Sequence, residues 1–259
     1  MRPFFWSDAA SRRDELVLVA RFFTRLPLGT AAALPEPGAL ARAAWGFPVV
    51  GAGIGIVAAA AFAAVRALAL PHLAAAFIAV GAGVLVTGAL HEDGLADTAD
   101  GCGGGDAEAK LAIMRDSRSG AFGVLALVFS VVLRAAALAA VDGRWAVLGA
   151  LVAAHAVGRG ALPAVLRLVP PARSDGLGAA AGEPDPAGVA WSLGIAAVLA
   201  LVGLGLKAGI AALIAAAAVM ALVAMLARRQ IGGHTGDVLG AIEQGGEMTM
   251  LLAAASWAT

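Results

Sequence analysis

Four carboxylates fall within nine residues of the stretch His91-Glu92-Asp93-Gly94-Leu95-Ala96-Asp97-Thr98-Ala99-Asp100-Gly101, although only 14% of the chain is charged. Read as a helix, the stretch puts Asp93, Asp97 and Asp100 at i, i+4 and i+7. They share one face there and repel one another unless a cation neutralises them. Mg²⁺ suits such a face, because it takes oxygen ligands and is typically held by one or two carboxylates together with substrate phosphates. The plainer reading is a solvated acidic turn that closes a membrane helix. Glu92 points about 100° away on the same helix and would support the ligands or reach another loop.

Other polar residues stand out against the apolar background. In Met114-Arg115-Asp116-Ser117-Arg118, the arginines either pair with Glu108 or Asp116 or face phosphates. His155 and Arg159 are four residues apart inside an apolar run, and Arg134 lies inside another. An ionisable group within a membrane helix is a functional candidate by default. Arg159 is read as a substrate contact, to phosphate or amide, and Arg134 as a partner for a neighbouring helix. Two polar loops complete the set, one around Arg173 in Pro170-Pro171-Ala172-Arg173-Ser174-Asp175-Gly176-Leu177-Gly178, the other at Gly232-Gly233-His234-Thr235-Gly236-Asp237. The single cysteine, Cys102, excludes an internal disulfide and reads as a small residue in a glycine-rich turn.

The elements that must position these groups are membrane helices. The chain has 259 residues, of which 61% are hydrophobic, and a mean hydropathy of +0.87, well above a soluble domain. Its formal net charge is zero, which gives no footing for a nucleic-acid partner. Charges within the first fifteen residues interrupt the apolar core that a cleaved leader needs. Residues 14–28, apolar but broken by Arg21 and Arg25, suit a helix lying at the bilayer interface. Pro27, Pro35 and Pro37 then mark a loop.

Spans of the ~20 residues a bilayer requires are expected at Trp45–Val65, His72–Leu90, Ala121–Val141, Trp145–Leu166, Val189–Leu206 and Ala208–Ala227. A weaker seventh covers Met248–Trp257 and begins as early as Val238. The expected fold is therefore all-α: a polytopic bundle of six to seven transmembrane helices with an N-terminal interfacial helix. It forms one membrane domain over 1–259, divided into an interfacial segment 1–44 and a bundle 45–259. Gly51, Gly53 and Gly55 in the first span are read as packing residues.

Even numbers of crossings separate the acidic stretch, the Arg173 loop and the His234 loop, so all three share one membrane face. That face also carries the basic residues from Arg2 to Arg42, then Lys110, Arg115, Arg118, Arg167, Arg173, Arg228 and Arg229, against Arg66, Arg144 and Lys207 opposite. Positive residues favour the cytoplasm. The site is expected to face it, in a bacterial cytoplasmic (inner) membrane.

With these pieces in order, the chain resembles the cobalamin synthase (adenosylcobinamide-GDP ribazoletransferase) family. The acidic stretch is its most specific feature. Phe23-Thr24-Arg25-Leu26-Pro27, Phe47-Pro48-Val49-Val50-Gly51, Met114 to Arg118, Arg173 with Gly176-Leu177-Gly178, and Gly233 to Asp237 support it along the chain. The resemblance implies Mg²⁺-dependent phosphoryl transfer in vitamin B12 synthesis. A ribose hydroxyl of α-ribazole or its 5′-phosphate attacks the phosphorus next to the cobinamide arm of adenosylcobinamide-GDP, and GMP leaves. It implies Asp93, Asp97, Asp100, His234 and Asp237 as catalytic residues, an Asp or His taking the hydroxyl proton, and Glu92, Arg115, Asp116, Arg118, Arg159 and Arg173 as substrate contacts. The bilayer and small-molecule substrates are the expected partners, and a homo-oligomer is compatible with it. Two alternatives stand behind this one. CDP-alcohol phosphotransferases share an Asp-Gly start but continue with Ala-Arg, where Asp97 follows Ala96 here. A secondary transporter would also place charges inside spans, though nearer the midplane.

Overall fold

The computed structural model describes residues 9–28 and 38–257, and its secondary structure is helical apart from one isolated β-bridge. The N-terminal tip, Pro35 and Pro37 lie outside the described residues. Five helical stretches are long and apolar enough to cross a bilayer: Ala44–Ala67, Ala121–Ala139, Arg144–Leu168, Pro186–Leu204 and Leu206–Ile231. The chain is a multi-pass membrane protein.

In chain order, α1 (Ala9–Phe23) is too short to cross and packs on α2 (Ala39–Arg42) and α3 (Phe47–Ala67). Its buried Val19 and Phe23 hold it there. Pro48 starts α3 where a missing N–H costs nothing. Gly51 and Gly55 let α3 close on α8 (Arg144–Gly160): a Cβ at either would stand 2.2 Å or 2.6 Å from a carbonyl oxygen of α8. The expected packing role holds for these two, while nothing lies near Gly53.

The second expected span is broken. Helix α4 (His72–Thr87) ends at Gly88 and Ala89, both left-handed with φ of 65° and 58°, and α5 (Leu90–Gly101) leaves at 92°. The acidic stretch is therefore a helix of its own, turned out of the α4 crossing. A short α6 (Ala107–Ile113), capped by Asp106, follows. Then come α7 (Ala121–Ala139), α8, its Pro163-started continuation α9 (Leu162–Leu168), and the small α10 (Gly176–Ala180). The helices α11 (Pro186–Leu204) and α12 (Leu206–Ile231) complete the apolar set.

The weak seventh span is α13 (Gly236–Trp257), which starts earlier than the sequence pattern indicates. Its start is two residues before the earliest expected position, Val238, and leaves 232–235 as connector. Its Asp237, Glu243, Gln244 and Glu247 keep it out of the apolar crossings. It lies inside the bundle, against α5, α7, α8 and α12.

Candidate active site

The site forms where α5 meets α13. A Cβ on Gly94 would lie 2.7 Å from the Asp237 carbonyl oxygen, and one on Gly240 would lie 3.0 Å from that of His91, so the two backbones touch. Asp93 and Asp237 flank this crossing and line one cavity of about 280 Å³ with Arg173. One turn beyond Asp93, Asp97 is crowded. Partial burial, then Asp93, Asp237 and Asp100, push its carboxyl up to about 6, opposed by Arg173. Burial also raises Asp237, against the Thr235 hydrogen bond and Arg173. Negative charge is thus concentrated at the start of two helices.

The loops arrive as the even crossing count requires. Ala172 N–H donates to His234 O at 2.8 Å and His234 N–H to Pro170 O at 2.9 Å, an isolated parallel bridge that locks the Arg173 loop to the His234 loop. Only glycine fits at 233, since a Cβ would fall 2.1 Å from Pro170 O. Arg173 Nη2 lies 3.6 Å from Asp237 Oδ2, and its Nε lies 3.7 Å from Asp175 Oδ1. Its Nε and Nη1 are buried without a hydrogen-bond partner, as is His234 Nδ1. A guanidinium with two buried, unused nitrogens beside three carboxylates fits an anion bridged to a cation. Thr235 Oγ1 donates to Asp237 Oδ2 at 3.1 Å and fixes that carboxylate. His234, lowered by burial, stands behind Gly178 rather than in the cavity wall.

Asp100 is placed differently. Its oxygens accept the N–H groups of Gly120 at 2.7 Å and Gly123 at 2.8 Å, at the start of α7, where exposed amides and the helix dipole favour an anion. Arg115 pairs with Asp175 at 3.0 Å, tying the segment before α7 to the Arg173 loop. Arg118 grips Asp116, whose carboxyl those hydrogen bonds hold near 2. None of Arg115, Asp116 or Arg118 lines the cavity. Arg118 thus takes Asp116, one of the expected carboxylates, whereas Arg115 takes Asp175 in place of Glu108 or Asp116.

Behind the cavity lies a buried ionic network that the sequence reading found only in part. Arg159 is 1% exposed and does not reach the cavity. Its Nη1 lies 2.6 Å from Glu243 Oε1 and its Nη2 lies 3.3 Å from His91 Nδ1. The expected phosphate or amide contact gives way to these partners, because α13 places Glu243 and Glu247 one turn apart opposite His155 and Arg159. Arg134 takes the role expected for it, with Nη2 3.1 Å from Glu92 Oε1 and Nη1 2.9 Å from Glu247 Oε1. Glu92 is thus a contact to α7. His155 Nδ1 lies 2.9 Å from Glu247 Oε2. Three glutamates face two arginines, so one further proton neutralises the set.

His155, Glu243 and Glu247 offer ligand atoms within 4.8 Å of one another, the one such grouping among the described residues. Glu243 and Glu247 already pair with Arg159 and Arg134, and a nitrogen ligand is a poor choice for Mg²⁺. The network instead joins α5, α7, α8 and α13. Arg134→Met should destabilise the detergent-solubilised protein by about 3–5 kcal/mol, the cost of leaving buried carboxylates unpaired. Thermal melting measures this, and adding Glu92→Gln should recover part of the loss in a double-mutant cycle.

Fold and cavity together define a polytopic helical membrane protein with an acidic, arginine-flanked cavity where two helix starts and two loops meet. The chain belongs to the cobalamin-5-phosphate synthase family, whose model matches residues 15–255. It is similar to the adenosylcobinamide-GDP ribazoletransferase of Bradyrhizobium diazoefficiens, with 47% identity over 94% of each chain. The enzymes of the same name from Azorhizobium caulinodans and Mesorhizobium japonicum are 45% and 44% identical, over 90% and 93% of this chain and 91% and 92% of theirs. No solved structure matches the chain.

Proposed function

We propose that this chain is an adenosylcobinamide-GDP ribazoletransferase of cobalamin biosynthesis, and that transfer takes place in the cavity between α5, α13 and the Arg173 loop. The observation that carries the location is the meeting of Asp93, Arg173 and Asp237 on one cavity, from three segments far apart in sequence. A ribose hydroxyl of α-ribazole, or of its 5′-phosphate, bonds to the phosphorus beside the cobinamide arm. The bond from that phosphorus to the GMP oxygen breaks, and GMP departs.

Asp93 and Asp97, one turn apart on α5, are the ligands for Mg²⁺ in this account. Bound there, the ion would neutralise the pyrophosphate charge. Asp100 leaves the ligand set, since both its oxygens already serve the start of α7. Arg173, which lines the cavity, offers its guanidinium to the phosphate oxygens. Asp237, its basicity raised by burial and its orientation fixed by Thr235, accepts the hydroxyl proton. His234 holds the Arg173 loop in register through the bridge to Pro170 and Ala172. Purified protein given adenosylcobinamide-GDP, α-ribazole 5′-phosphate and Mg²⁺ should release GMP only when all three are present. GMP release without the acceptor would make it a hydrolase instead.

The same reading puts the cavity on the cytoplasmic side of a bacterial inner membrane, in line with the bias of basic residues. Native Cys102 is exposed and follows α5. A membrane-impermeant maleimide should label it in inverted vesicles but not in intact spheroplasts. Cysteine at Lys207, in a Cys102→Ala background, should show the opposite pattern. Labelling of both from one side would break the assignment.

A further inference from the structure

The cavity has two unlike walls. Every lining residue from α1, α2, α3 and α9 is apolar: Phe22, Phe23, Leu40, Phe47, Leu162 and Leu166. The charged lining residues, Asp93, Arg173 and Asp237, come from α5, the Arg173 loop and α13. Phe23 meets Phe22 edge-on at 5.0 Å and Phe47 at 4.9 Å, with the Arg159 guanidinium 5.9 Å behind its ring.

We propose that this apolar wall seats the fused aromatic base of the acceptor nucleoside, while the corrin ring stays outside the cavity. The proposal rests on the transferase reading above. Size is the first argument. About 280 Å³ lies just under the ~300–1,000 Å³ of pockets for drug-sized ligands. That accommodates a two-ring base with part of its ribose, whereas a corrin ring with its amide-bearing arms is far larger. Polarity is the second. The other base in the reaction is guanine, whose edge carries N–H donors, a carbonyl and a ring nitrogen. None of the side chains from α1, α2, α3 or α9 that line the cavity can answer these groups, and burying them unpaired is costly. The base of α-ribazole presents methyl groups and few polar atoms, and it can pack against phenylalanine edges. Seated there, it brings its ribose toward Asp237 and the metal-binding carboxylates, while exposed Asp93 and Leu177 mark where the larger donor approaches.

The test combines direct binding with kinetics on the full-length protein in detergent. Equilibrium dialysis of α-ribazole, without corrinoid, should give saturable binding that a hundredfold excess of guanosine does not displace. Ala181 lines the cavity beside α2, its carbonyl accepting the Ala41 N–H at 3.2 Å, so Ala181→Phe adds a ring next to the apolar wall. It should raise the α-ribazole Kd and the acceptor KM at least tenfold while leaving the KM for adenosylcobinamide-GDP within twofold. Displacement by guanosine, or a rise in donor KM with the acceptor KM unchanged, would overturn the seat. The dialysis experiment uses wild-type protein, so it decides the matter even if Ala181→Phe fails to fold. Wild-type protein that forms no product from both substrates would refute the transferase reading itself, a result distinct from product formation with the wrong base in the cavity.

Discussion

Asp97→Asn should lower transfer by about 10³-fold while leaving the melting temperature unchanged or slightly higher. The substitution keeps shape and removes one charge from a crowded group, so folding gains from relieved repulsion between Asp93, Asp97, Asp100 and Asp237. Catalysis loses because a metal bound to fewer carboxylates neutralises less of the pyrophosphate charge, and several kcal/mol of such stabilisation correspond to two or more decades in rate. Asp93→Asn should behave alike. Asp237→Asn removes the proton acceptor and should cost about 10²–10⁴-fold. Asp100→Asn separates from these: an amide can accept from only one of Gly120 and Gly123, so loss of stability should accompany any loss of rate. Glu108→Gln, on exposed α6, is the charge-loss control and should do little. Steady-state rates beside melting curves distinguish the three behaviours.

Arg173→Lys should raise the KM for adenosylcobinamide-GDP by about 10–100-fold, in keeping with the ~1.5–3 kcal/mol of a hydrogen bond to a charged group. Lysine keeps the charge but lacks the planar fork whose Nε and Nη1 stand buried without partners. It also withdraws the Nη2 contact to Asp237, so kcat should fall as well. Arg173→Ala should be more severe. Arg115→Ala provides the contrast, because Arg115 pairs with Asp175 at the exposed edge and touches the cavity only through that loop. A fall confined to Arg115→Ala, with Arg173→Lys near normal, would move the phosphate contact to the segment before α7.

The acidic helix was legible because its periodicity is local: i, i+4 and i+7 carboxylates need no partner to be seen. The same applies to His155 and Arg159. Their counterparts, Glu243 and Glu247, repeat that spacing within the last expected span, yet nothing in the sequence says which span packs against which. Arg159 therefore looked unpaired and functional when it is internally matched. The turn at Gly88-Ala89 escaped because hydropathy runs through it without change. What Asp100 does depends on α7 folding back to present two amides, and no spacing within α5 encodes that. The apolar wall was invisible for a different reason. Phe22, Leu40 and Leu166 differ in no way from their neighbours in a chain that is 61% hydrophobic, and only tertiary contact makes them a wall. The loops were different again, since crossing parity alone predicts that Asp93, Arg173 and Asp237 share a face.

The most direct test is where the metal binds. Mn²⁺ can stand in for Mg²⁺ at oxygen-rich sites, and its paramagnetic signal reports bound against free ion. Wild-type protein should bind Mn²⁺ without substrate and more tightly with guanosine diphosphate. Asp93→Asn and Asp97→Asn should weaken that binding at least tenfold, whereas Asp237→Asn and Glu243→Gln should retain it. Mn²⁺ binding that survives Asp97→Asn but disappears with Glu243→Gln would place the ion in the buried His155, Glu243 and Glu247 group and contradict the carboxylate site on α5.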